Sequence, residues 1–173
     1  MAIYALGDRV PQIDPTAYVH PMATVIGDVR IGPESTVWPS AVLRGDYGTI
    51  TVGARTSIQD GTVIHATAEE ATTVGDDCVI GHLTHLEGCT IENGSLVGSN
   101  SVVLHRCVVR SGALVGASAL LPNGTEVPSG AMALGVPAKI RPDTVDPETA
   151  ILPAVPLYAW NGKRYAQELR RLD

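Results

Sequence analysis

The chain repeats every six residues, and that period constrains its fold more than any other feature of the sequence. Read at six-residue steps, Val19, Val25, Ile31, Val37 and Leu43 fall in register. After an insertion the series resumes at Val52, Ile58 and Ile64, and after a second at Val74, Ile80 and Leu86. With one residue dropped it runs on through Ile91, Val97, Val103, Val109, Val115, Leu121 and Val127. All eighteen positions are Val, Ile or Leu. Two residues ahead of each stands a second column, in which sixteen of eighteen members are Ala, Ser, Thr or Cys; Val29 and Ile50 are the exceptions. Residues i and i+2 share a face in extended chain, so each rung sends one large and one small side chain inward.

A six-residue rung that ends in a bend closes a triangular coil after three rungs, which is the hexapeptide β-helix pattern. Eighteen rungs predict an all-β fold over residues 1–141, a single-stranded parallel β-helix of about six triangular coils. Composition agrees, because only 4% of the residues are aromatic and phenylalanine is absent. A narrow prism has no room for rings. Past Val127 the pattern fades through Ala133, Leu134, Gly135, Val136 and Pro137, and Pro142, Pro147, Pro153 and Pro156 mark an extended linker. Asn161 to Leu172 reads as a short helix with Asn161 as its cap and Tyr165, Leu169 and Leu172 on one side. Residues 142–173 are therefore expected to form a linker and a C-terminal α-helix packed on the prism.

The net charge of −6 argues against nucleic acid or an anionic membrane as partner, since counterion release needs a basic surface. Glycine, proline or a charge interrupts every apolar stretch, which leaves no transmembrane candidate. The N-terminus lacks the basic start and apolar run of a secretory signal, and three cysteines do not make a disulfide framework. A cytoplasmic protein is expected. Cys78, Cys89 and Cys107 all fall in the small inward column and read as buried thiols.

Counting rungs in threes shows which residues stack from coil to coil, at a spacing of ~4.8 Å. Leu43, Ile64, Leu86 and Val103 fall on one side, and the residues after them form an outward column of Arg44, His65, Glu87 and Leu104. His65 and Glu87 become neighbours at a distance that suits two ligands of one metal ion. His85 flanks Leu86 on the same face, and His82 lies near the bend that leads there. His65, His82, His85 and Glu87 are thus the candidate metal ligands. His20 and His105 read as solvated or hydrogen-bonded surface residues.

Arg44-Gly45-Asp46, then Ser57-Ile58-Gln59-Asp60-Gly61 through His65, then Gly81-His82 and Gly88-Cys89, resemble the γ-class carbonic anhydrase family. The likeness covers residues 3–141, including Leu134 to Lys139. It implies a homotrimer of left-handed β-helices that binds zinc, iron or cobalt at each subunit interface and hydrates CO₂ to bicarbonate. By that resemblance His65 matches the first ligand, and His82 the one contributed across the interface. Arg44 and Asp46 match an interface ion pair, and Gln59 and Asp60 the pair that orients metal-bound water and the arginine.

The family's third histidine is replaced here by Glu87, which puts a carboxylate on the ion or frees His85 to take its place. Tyr47 and Ala68 stand where well-studied members carry proton-shuttling glutamates. Tyr158 or Tyr165 supplies the tyrosine that short members bring from the C-terminal tail. Gln59, Glu87 and Tyr165 are accordingly the candidate catalytic residues.

A zinc with three protein ligands lowers the pKa of bound water from 15.7 to about 7, and the hydroxide attacks CO₂. Three function classes stay open. One is a metal-dependent lyase of this kind, and the second a metal- or small-ligand-binding trimer without such turnover. The third is a hexapeptide acyltransferase, which shares the repeat and the segment Gly135 to Lys139. Arg44 and Asp46 would be worth little as a plain exposed surface pair, and the interface role is preferred because Arg44 heads the column of His65 and Glu87.

Overall fold

Alternation of inward and outward side chains makes most rungs strands of two or three residues, and the bends between them wind the chain into a solenoid. The computed structural model describes residues 2–173. One face stacks seven parallel strands, from Tyr18–Val19 through Thr36–Val37, Ser57–Ile58, Val79–Ile80, Leu96–Val97 and Leu114–Val115 to Met132–Leu134. Lys139–Arg141 then returns antiparallel along the last of these. The arrangement fits a left-handed parallel β-helix of about seven turns.

The stacking follows the expected register. Leu43 pairs with Ile64, Ile64 with Leu86, Leu86 with Val103 and Val103 with Leu121. All eighteen large aliphatics are buried, and so is the small column apart from Ala17 and Thr125 at its two ends. The three cysteines are free and buried as expected.

The six coils counted from the repeat fall short by about one, and the reason lies at the ends of the prism. Ala131 and Ala133 are fully buried and close one more rung with alanine in place of a branched side chain. At the other end Ala2–Tyr4 and Gln12–Ile13 pair with Thr24–Ile31, with Ile13 packed against the core. Terminal rungs are filled by smaller or partly buried side chains, so they keep a weaker pattern.

Two strands, Thr24–Ile31 and Val42–Val52, run through a corner without breaking. Their pairing shifts between Gly27 and Val29, where the first insertion is absorbed. Gly27 sits there at φ +79°, and a Cβ on it would lie 2.2 Å from the carbonyl oxygen of Gly45. No side chain fits between these two backbones.

The C-terminal segment departs from the expectation. Helix α1 spans Pro147–Ala150 and helix α2 spans Val155–Glu168, six residues ahead of the expected start. Asn161 lies inside α2 and caps nothing, and the chain is already extended at Leu169. Prolines read as linker markers instead begin helices, since a first-turn residue needs no N–H partner. Asp146 caps α1 by accepting the Glu148 N–H at 3.1 Å. Helix α2 lies across Tyr18–Val19, Thr36–Val37 and Ser57–Ile58. Gly162 allows the close approach, as a Cβ there would come within 2.6 Å of the Thr36 methyl group. The aromatic residues gather outside the prism, with Tyr165 centred 5.1 Å from Trp38 and 6.1 Å from Tyr18. Among the described residues no helix is long and apolar enough to cross a membrane.

Gly27 and Gly124 both hold left-handed backbone, but only Gly27 faces a neighbouring carbonyl. Gly124→Ala should cost about 1 kcal/mol and Gly27→Ala about 3 kcal/mol, read as a difference between urea midpoints.

Candidate functional site

Backbone pairing sets the outward column, since Arg44 stands opposite His65 and His65 opposite Glu87 on successive coils. The His65 ring is mostly buried between two carboxylates. Its Nδ1 lies 2.7 Å from Glu87 Oε1, and its Nε2 lies 2.9 Å from Asp46 Oδ1. Asp46 is paired in turn with the Arg44 guanidinium. Glu87 Oε2 meets His85 Nε2 at 3.2 Å. The Tyr47 ring stands edge-on to His65, 6.4 Å between centroids. Five side chains therefore form one continuous polar chain, Arg44–Asp46–His65–Glu87–His85.

The electrostatics follow from these contacts. The hydrogen bond from His65 holds the Glu87 carboxyl below its ordinary range against partial burial, with His85 adding to the effect. For Asp46, burial pushes the carboxyl up, but hydrogen bonds from Arg44 and His65 outweigh it and the net shift is downward. Both carboxylates accept, so His65 fills both contacts only by donating from both nitrogens. A ring with one N–H keeps one contact and frees the other nitrogen as a base or ligand.

Two positioning residues were not visible in the sequence. Thr72 Oγ1 donates to the His65 carbonyl at 2.5 Å and accepts the Gly88 N–H at 2.8 Å, tying the coil of His65 to that of Glu87. It reads in the sequence as a small core filler. The signal was that a buried hydroxyl must find partners. Glu70 is the other. It bonds His105 at 2.8 Å and pairs with Arg106, which pins the loop after Ile64 to a later coil.

His82 does not join His65, His85 and Glu87 within the chain, contrary to the expected convergence. It lies in the bend after Val79–Ile80, at a different corner of the prism, with Nδ1 3.0 Å from Asp60 Oδ2. Gln59, Asp60, His82 and Tyr165 line a cleft of about 270 Å³ beneath α2. The candidate residues thus divide into the His65 column and this cleft. Among the described residues no set of three or more His, Cys, Asp or Glu side chains is arranged to hold a metal ion within one chain.

His105 is hydrogen-bonded to Glu70 as described, while His20 is nearly buried and accepts the Met22 N–H at 3.1 Å. Burial pushes the Cys78 thiol up to about 11 and that of Cys89 up as well, so neither is a nucleophile at neutral pH.

Residues 71–105 match the family model of the bacterial transferase hexapeptide (six repeats). The chain is 45% identical over 104 residues to the carnitine operon protein CaiE of Escherichia coli, a match covering 60% of this chain and 53% of that protein. It thus spans about half the length of the curated relatives it matches. A Bacillus cereus protein provisionally called an acetyltransferase superposes with a TM-score of 0.92 at 29% identity, over 95% of this chain and 96% of that one. The hexapeptide transferase family protein from Anaplasma phagocytophilum is 35% identical, with a TM-score of 0.90 over 95% of this chain and 98% of that chain. Identity at that level along nearly the whole of both chains, on a prism whose every rung is filled, makes this chain a member of the hexapeptide transferase family.

Proposed function

We propose that the chain transfers an acyl group from an activated donor to a small nucleophile, with His65 as general base and Glu87 as the carboxylate that orients it. The observation that carries the reading is the imidazole held at Nδ1 by Glu87 and at Nε2 by Asp46. A carboxylate on one ring nitrogen sets the tautomer and stabilises the imidazolium that forms when the other nitrogen takes a proton. The acceptor's N–H or O–H gives its proton to Nε2 in place of the Asp46 contact, while its heavy atom bonds to the acyl carbon. Collapse of the tetrahedral adduct breaks the bond to the leaving group, which departs with the proton that Nε2 took up and so restores the neutral ring. Arg44 holds Asp46 beside the site. The transferase names of the full-length structural relatives support this chemistry.

A second reading is metal-dependent hydration of CO₂ in a homotrimer. Stacked nitrogen and oxygen donors at His65 and Glu87 favour it, as does the placing of His82 at another corner of the prism. His65 and Glu87 of one copy and His82 of another would hold zinc, iron or cobalt, and a C₃ assembly is the symmetry that allows such sharing. The bound ion would acidify a water molecule. Gln59 and Tyr165 lie on the His82 side of that arrangement.

Turnover of acetyl-CoA with amine and hydroxyl acceptors, before and after chelation, separates the two readings. Acyl transfer that survives chelation and falls by about 10²–10⁴-fold in His65→Ala supports the first. CO₂ hydration that chelation abolishes, zinc or iron restores and His82→Ala removes overturns it in favour of the second.

Acid stability tests the cluster itself. The Glu87 carboxyl is held below its ordinary value of 4.5, so its contribution to folding is complete above that value and is lost as pH falls through the lower, folded one. Thermal midpoints taken from roughly pH 5 to pH 3 should fall less steeply in Glu87→Gln than in the parent chain.

A further inference from the structure

A further cavity lies between the first coil and the chain that follows α2, and it shares no residue with the His65 column or with the cleft beneath the helix. Its volume is about 570 Å³, within the range of small-molecule sites. One wall is the bend of His20, Pro21 and Met22 that follows Tyr18–Val19, and the other is built by Leu169 and Arg170, with Arg171 and Asp173 beyond them. His20 lines this cavity although only 9% of its surface is exposed. Its Nδ1 accepts the Met22 N–H at 3.1 Å, so that nitrogen carries no proton. Burial holds the ring below the ordinary imidazole range, against the attraction of Asp60, and the ring is neutral at pH 7. A neutral ring with a bare Nδ1 carries its proton on Nε2.

Among the described residues that Nε2–H bonds to nothing, and the one fully enclosed side-chain polar atom without a partner is the Tyr18 hydroxyl. The Nε2–H is therefore an open donor on a nearly buried ring. It meets little water, so an acceptor that reaches it displaces little hydration. The charges at the opening select the sign of that acceptor. Asp173, the carboxylate of the cavity, is held by Arg171 at 2.8 Å. Arg170 is exposed and makes no ion pair among the described residues, so its planar fork is available to an anion. The rest of the lining is aliphatic: Pro21, with Met22 and Leu169, two large apolar side chains left exposed. The unbranched thioether of Met22 adapts readily to an alkyl chain.

We propose that this cavity binds a short aliphatic carboxylate, with its head on His20 Nε2 and the Arg170 guanidinium and its chain against Pro21, Met22 and Leu169. Both ends of the ligand are needed. The donors alone would take any small anion and the apolar walls alone any small alkyl group, and a carboxylate that ends an alkyl chain satisfies the two together.

Calorimetric titration of the full chain with hexanoate, hexanol and inorganic phosphate tests this. Hexanoate should bind saturably, at least about tenfold more tightly than either of the others. Arg170→Met should weaken hexanoate by about tenfold while leaving hexanol unchanged. Met22→Glu sets a second carboxylate against the ligand's own and should weaken hexanoate by at least about tenfold. His20→Phe keeps a flat ring without the donor and should also weaken hexanoate. Near-ultraviolet circular dichroism reports whether each variant keeps the parent packing, and Arg170 and Met22 are exposed, so their replacement leaves the core intact. Equal affinity for hexanoate and hexanol, unaltered hexanoate binding in any variant that keeps the parent spectrum, or no saturation by about 10 mM overturns the proposal.

Discussion

Everything in this molecule depends on the width of the triangular coil. Three short strands close around one another when the inward side chains stay narrow, on most rungs one branched aliphatic and one small residue. Eighteen buried Val, Ile or Leu side chains, with a small buried partner on most rungs, meet that condition along the prism. A ring does not fit, which is why Tyr18, Trp38 and Tyr165 pack outside and make a platform for α2 instead. Each coil rests only on its neighbours, so stability accumulates coil by coil as in other solenoids.

The same geometry creates the chemical site. Parallel stacking puts residues twenty or so positions apart directly over one another, so a single outward column can gather charges that no short motif would join. Arg44, His65 and Glu87 meet in that way, and Asp46 and His85 complete the line because each lies two residues from a column member on the same strand. The loops contribute by clamping. Thr72 ties the backbone of His65 to that of Gly88, and Glu70 fastens the intervening loop to His105 and Arg106. An imidazole held between two carboxylates gives up one of its contacts whenever it carries only one N–H.

Particular residues show how far the pattern could be read. The pairing of His65 with Glu87 follows from counting rungs in threes, and so does the burial of Cys78, Cys89 and Cys107. His82 shows the limit, because a residue in a bend belongs to a corner, and rung counting does not say which way a corner side chain turns. The added coil escaped the count since Ala131 and Ala133 close it without a branched residue. The start of α2 escaped it for another reason. Pro153 and Pro156 look like breaks in a sequence, yet a proline in the first helical turn is compatible with the helix that follows.

The parallel β-helix, its inward columns and the coil-to-coil register are legible in the six-residue period, which leaves one way to bury a large and a small side chain on nearly every rung. It also placed Arg44, His65 and Glu87 in line. That Asp46 reaches back to His65, that His82 turns to Asp60, and that α2 folds over Gln59 to form a cleft became plain from the folded chain alone. Those outcomes rest on side-chain direction at bends and on the docking of a helix through Gly162. Both are set by packing between distant segments, and neither leaves a periodic mark in the chain.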